Sequence, residues 1–166
     1  MNGSTDRRIP AAWSSGVEQA EVIMGERISK SPATTSTIGI RVPAELDQLV
    51  MLRAIAETIA LIGDFALDEV TDIRVAVDEI ATALMRGAAP DSELECEFGY
   101  NARRMTVRMR VAAGAHDVID EGGFGWHVLR TITETLAVER DPFDKAVSGY
   151  PTTVIFSRIR SDADDG

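Results

Sequence analysis

Residues 68–86 read DEVTDIRVAVDEIATALMR, and this stretch decides the fold. Val70, Ile73, Val77, Ile80 and Leu84 recur at spacings of three and four, so a helix here lays one apolar stripe on a core. Glu79 and Ala83 share a different stripe, because residues four apart stack on one helix face. The helix stops near Gly87-Ala88-Ala89-Pro90. Upstream, Leu46, Leu49, Leu52, Ile55, Ile59 and Ile62 keep helical spacing, with Pro43 suited to a first turn and Gly63 to an end.

Strands bracket these helices. Ile38–Val42 reads as a short strand ahead of the first helix. Downstream, 93–100 and 105–111 alternate apolar and polar residues and are joined by Asn101-Ala102-Arg103-Arg104, a hairpin signature. A glycine-rich connection leads to a third helix predicted over Gly125–Leu136, and the chain closes with strands at Ala137–Arg140 and Thr152–Arg160. Strands in hairpin order with helices between them predict an α/β fold: a two-layer sandwich of a mixed, mostly antiparallel sheet with helices on one face.

The bulk composition excludes several classes. At 166 residues and 45% hydrophobic content, one domain with a real core is expected. Seventeen basic against 27 acidic residues leave a net charge of −10, which argues against nucleic-acid binding and suits a basic protein partner. The single cysteine, Cys96, excludes an internal disulfide and a cysteine-rich zinc site, and its strand context predicts burial. No apolar run reaches membrane-spanning length and no signal-peptide core is present, so a cytoplasmic protein is expected.

Residues 1–37 read as a disordered tail, rich in Ser, Thr, Gly and Pro, with a short helix conceivable over Val17–Ile28. Its charges cancel, Asp6, Glu18, Glu21 and Glu26 against Arg7, Arg8, Arg27 and Lys30. The body, 38–160, and the acidic end, 161–166, therefore carry the whole excess.

Gly122-Gly123-Phe124-Gly125 precedes the third helix. Glycines let a backbone approach a ligand, and a helix start offers unpaired N–H groups to an anion. Taken alone, the same residues also read as a flexible connector ahead of a helix that buries Trp126 and Leu129. His116 and His127 lack a third partner for a metal site. Asp117, Asp120 and Glu121 read as a solvated acidic loop, and Arg103-Arg104 as part of the hairpin.

A Glu-bearing helix, a hairpin, a Gly-rich loop, a helix and a last strand containing Gly149-Tyr150-Pro151-Thr152-Thr153-Val154 occur in that order. Over about 120 residues, Ile38 to Arg160, the chain resembles the bacterial anti-sigma factors that are also serine-protein kinases, the RsbW-like proteins of the GHKL ATPase superfamily, and among them the actinobacterial anti-sigma F factors. The family's first box, roughly V-x-E-A-x-T-N-A, falls on Val77 to Leu84. Glu79 then lies at its general base and Ala83 at its magnesium-binding asparagine. The second box, D-x-G-x-G, falls on Ala112 to His116, which puts Ala112 at the adenine-reading aspartate and keeps Gly114; a shifted register brings in Asp117. The third box, G-x-G, falls on Gly123-Phe124-Gly125. The late Gly-Thr-Thr-Val is represented by Pro151 to Val154, with Thr152, Thr153 or both near the adenine.

The resemblance implies two readings. In the first, the chain is an anti-sigma factor that dimerises, sequesters an alternative RNA polymerase sigma factor in a stress response, and is countered by an anti-sigma-factor antagonist. Its nucleotide site is then degenerate, because Ala83 and Ala112 supply neither a magnesium ligand nor an adenine acceptor. Glu45, Asp47 and Glu57 on the first helical segment are the candidate partner contacts, set against an ordinary solvated face. In the second, the chain is an active kinase that takes ATP with Mg²⁺ and phosphorylates the antagonist. Glu79 then activates the serine, and Gly123, Gly125 and the helix start hold phosphates.

Overall fold

The computed structural model describes residues 34–161. Most of the sequence-read tail and of the acidic end therefore lies outside the described residues. The body begins earlier than expected: β1 covers Ser36–Pro43, so Ser36 and Thr37 are strand, paired with Tyr100 and Gly99.

Pro43 is the last strand residue and not the start of a helix. The Ala44 N–H donates to Ser92 O at 3.0 Å, and Glu45 remains extended. A 3₁₀ turn at Leu46–Gln48 then leads into α1, Leu49–Ile62. The α1 end is handled by Asp64, which takes a left-handed φ of 58° while Gly63 does not. The Phe65 N–H donates back to Ala60 O at 3.1 Å, closing the turn.

The decisive helix, α2, runs Leu67–Arg86 with Gly87 at its end, as its periodicity predicts. Val70, Ile73, Val77, Ile80 and Leu84 are all buried. β2 (Glu93–Tyr100) and β3 (Arg104–Ala113) form the expected hairpin. Asn101 Oδ1 accepts the N–H groups of Arg103 and Arg104 at 2.9 and 3.0 Å, an Asx turn that fixes the register.

The third helix, α3, spans Phe124–Ile132 and stops four residues before its predicted end. Thr133 is extended, and its N–H and Oγ1 both donate to Leu129 O. The Glu134 N–H then donates to Ser157 O, and β4 begins at Thr135 and ends at Arg140. β5 is Tyr150–Ile159. Pairing with β5 competes with the helix for these residues, and the β-branched Thr133 yields to it.

The sheet order is β1-β2-β3-β5-β4, and every neighbouring pair is antiparallel, so the sheet is not mixed. Alternation fixes its two faces. Leu94, Cys96, Phe98, Met105, Val107, Met109, Val111, Val154 and Phe156 form one core with the buried stripes of the three helices. Each fully buried large side chain contributes about 1.5–3 kcal/mol. The other face carries charged neighbours such as Arg41 and Glu95, 2.8 Å apart. Cys96 is buried as predicted, and burial pushes its thiol pKa up to about 12. No described helix is long and apolar enough to cross a membrane.

Candidate functional site

A cavity of about 300 Å³ lies between α2, α3 and the connection from β3 to α3. α2 contributes Glu79, Ile80 and Ala83; α3 and its cap contribute Gly123, Phe124, Gly125, Trp126 and Leu129; the connection contributes Val118, Ile119 and Asp120. Glu79, Ala83, Gly123 and Gly125, all singled out in the sequence, are thus brought together.

The helical periodicity explains the first pair. Ile80 and Leu84 anchor α2 in the core, which leaves Glu79 exposed and Ala83 half-buried one turn along the cavity wall. Across from them, Gly123 caps α3 in an extended conformation and its carbonyl accepts the His127 N–H at 3.2 Å. The amides of Phe124, Gly125 and Trp126 therefore have no intrahelical partner. Gly125 brings the α3 backbone close to Glu79: a Cβ there would stand 2.9 Å from Glu79 Oε2, the far end of an exposed side chain. At Gly123 a Cβ would stand 2.7 Å from Asp120 Oδ2. Asp120 itself accepts the Gly122 N–H through Oδ1 at 3.0 Å, so a carboxylate, not a solvated loop, shapes the turn into α3.

The other expected residues stand elsewhere. Gly114 donates its N–H to Gly87 O at 2.8 Å and lines no part of the cavity. Thr152 is buried opposite Val111, and its Oγ1 donates to Tyr150 O at 3.1 Å. Thr153 pairs with Arg110 and lies on the sheet's other face. Ala112, opposite Pro151, also alternates away from the helices, whereas Ala113 is fully buried on the core side. Either position offers only a methyl group. Asp117 turns to Arg140, 3.5 Å from its Nε, and Glu121 to Arg140 Nη2 at 3.0 Å. Both acids are exposed, as the solvated-loop reading expects, and both also reach Arg140.

Sequence reasoning missed Val118 and Ile119 as cavity wall. The signal was an apolar pair inside an acidic, glycine-rich connection, since an apolar pair in such a segment has reason to bury itself. Trp126 is 6% exposed, and its Nε1 has no hydrogen-bond partner among the described residues.

The residues present fit a magnesium–nucleotide complex poorly. Hard cations want oxygen ligands, and Ala83 supplies none. Among the described residues, no group of three or more His, Cys, Asp or Glu gathers to hold a metal ion. The cavity lining contains neither Lys nor Arg to meet phosphate charge, and Ile80, Val118, Ile119, Trp126 and Leu129 make much of it apolar.

Of the candidate partner contacts, Glu45 and Asp47 are exposed beside Leu46. Glu57 instead lies 3.7 Å from Arg74 Nη1 on α2.

An antiparallel five-stranded sheet with three helices on one face and a glycine-edged cavity between helix and loop defines a GHKL-like α/β sandwich. No protein-family model matches the chain. The anti-sigma-F factor RsbW of Mycobacterium tuberculosis, in two strains, is 33% identical over 112 residues, covering 68% of this chain and 67% of that protein. The chain belongs to the RsbW-like anti-sigma factor family.

Proposed function

We propose that this chain sequesters an alternative RNA polymerase sigma factor, and that the cavity between α2 and α3 is a nucleotide pocket that has lost its chemistry. Family membership supports the first part. One observation carries the second: α2 presents Glu79 to the cavity and Ala83 one turn later, where a magnesium ligand would be needed. An anti-sigma-factor antagonist competes for the chain, and the working unit is a homodimer in the cytoplasm. Glu45 and Asp47 suit a basic partner surface, and complementary charge speeds encounter more than it sets affinity.

The rival reading, an ATP-dependent serine kinase acting on the antagonist, draws on Glu79, whose carboxylate stands beside the first turn of α3. Calorimetric titration of the purified protein with Mg-ATP separates the two. Saturable sub-millimolar binding that disappears in Glu79→Ala or Gly125→Ala overturns the degenerate pocket. Affinity capture from the native host, with proteins identified by mass spectrometry, tests the partner. Recovering a sigma factor supports the proposal, and recovering none from either stressed or unstressed cells removes it.

A further inference from the structure

The connection between β3 and α3 contains three glycines and three acids, so its own sequence gives it little reason to hold one position. It is nonetheless part of the packed body. Ile119 is 6% exposed in the core cluster with Trp126 and Leu129. Val118 packs so closely on Gly87 that any Cβ there would collide with it. These two residues and Asp120 are one wall of the cavity.

Arg140, the last residue of β4, spans that segment from outside. Its Nη2 donates to Ile119 O at 3.2 Å and lies 3.0 Å from the Glu121 carboxylate, while Nε lies 3.5 Å from Asp117. The arginine side chain is only 17% exposed, and its buried Nε makes no hydrogen bond among the described residues. Asp117 is largely exposed, so its share is small. The bond to the Ile119 carbonyl and the Glu121 pair carry the rest. A planar guanidinium can serve a carbonyl and two carboxylates at once, which a lysine ammonium on a flexible stem does less well.

We infer that Arg140 is a positioning residue for the cavity, a strut from the sheet edge that holds Val118, Ile119 and Asp120 as a fixed wall and so sets the size of what the cavity admits. With the wall in place the volume, about 300 Å³, is at the low end for small-molecule pockets. Without the strut the Ile119 carbonyl loses its partner and the two acids repel each other unopposed, so the wall opens. This concerns the same cavity as the proposed function, but the contacts hold whatever the cavity binds.

The test uses the full chain in a Trp13→Phe background, which leaves Trp126 as the sole tryptophan. Arg140→Gln should raise acrylamide quenching of Trp126 and amide exchange over 118–120 by about tenfold, the loss expected for one charge-assisted hydrogen bond. Exchange in β2, β3 and β5 should stay unchanged. Arg140→Lys should recover part of the protection. Arg110→Gln, whose one ion pair among the described residues is an exposed one with Asp141, should change neither readout. Unchanged quenching and local exchange in Arg140→Gln overturn the inference. So does a uniform rise in exchange across the sheet, which marks a merely structural arginine. Tight Mg-ATP binding, or no sigma factor captured, would overturn the proposed function while leaving these readouts intact.

Discussion

The Glu79 carboxylate rests against Gly125: a methyl group on that glycine would come 2.9 Å from Glu79 Oε2. The obstacle is the far end of an exposed, flexible side chain, so it can swing away. Alanine is also favoured over glycine in a helix by about 1 kcal/mol. Gly125→Ala should therefore leave the thermal midpoint unchanged or slightly raised, while moving Glu79 away from the first turn of α3. A crystal structure or the Glu79 side-chain carboxyl NMR shift would show the displacement. Gly149→Ala should behave oppositely, because its Cβ would meet Ala113 O, a backbone atom in the sheet, at 2.7 Å. A loss of about 1–3 kcal/mol in denaturant unfolding is expected there.

Ala83 and Ala112 should part company when oxygen ligands are restored. Ala83 lines the cavity, so Ala83→Asn should strengthen Mg-ATP binding by about tenfold, the value of one polar contact. Ala112 sits on the other sheet face, so Ala112→Asp should leave nucleotide binding unchanged. Calorimetry on both variants checks this. Equal gains in the two would refute the placement of Ala112 away from the site.

Glu69 ties the start of α2 to the end of β5. It is 1% exposed, and it accepts the Ala66 N–H at 2.8 Å and the Ser161 N–H at 2.5 Å. Burial alone would raise its pKa, but the bonds from Ser161 and Ala66 and the nearby Arg158 charge outweigh it, so the pKa is lowered from 4.5. A depressed carboxyl stabilises the fold above its unfolded pKa. That contribution is lost as pH falls through the unfolded value towards the folded one. Glu69→Ala should cost about 1–3 kcal/mol at neutral pH for the donors left unpaired. Its unfolding curve should also depend less steeply on pH below about 4.5 than that of the wild type.

Cys96 should be silent to thiol reagents in the native protein. Its thiol is buried and its pKa is about 12, so almost no thiolate exists near neutral pH. Labelling by a disulfide reagent at pH 8 should proceed only as fast as the core opens, and should become immediate in denaturant. Rapid native labelling would mean that β2 is not the packed strand described.

Much of this architecture is legible in local pattern. The stripe of Val70, Ile73, Val77, Ile80 and Leu84 specifies α2, and the alternation around Cys96 and Val107 specifies the hairpin, because side-chain periodicity and burial are coupled residue by residue. The pairing of Glu79 with Ala83, and of Gly123 with Gly125, is equally local. Helix ends were less legible. Thr133 leaves α3 because β5 captures Glu134, and Pro43 stays in β1 because Ala44 is bonded to Ser92. In both cases a partner distant in sequence decides.

The sequence by itself determined the type and order of the main helices and strands, though not all their ends, and that position 83, read as the family's magnesium-binding one, carries only a methyl group. Only the tertiary structure decided which boxes share a cavity. Glu79, Ala83, Gly123 and Gly125 converge on it, while Ala112 and Thr153 face the other side of the sheet and Gly114 and Thr152 lie outside it. It also decided that Arg140 braces the Ile119 wall from 21 residues away. Which strands and loops come together, and which ion pairs cross between them, depend on partners distant in sequence, so neither can be read from neighbours along the chain.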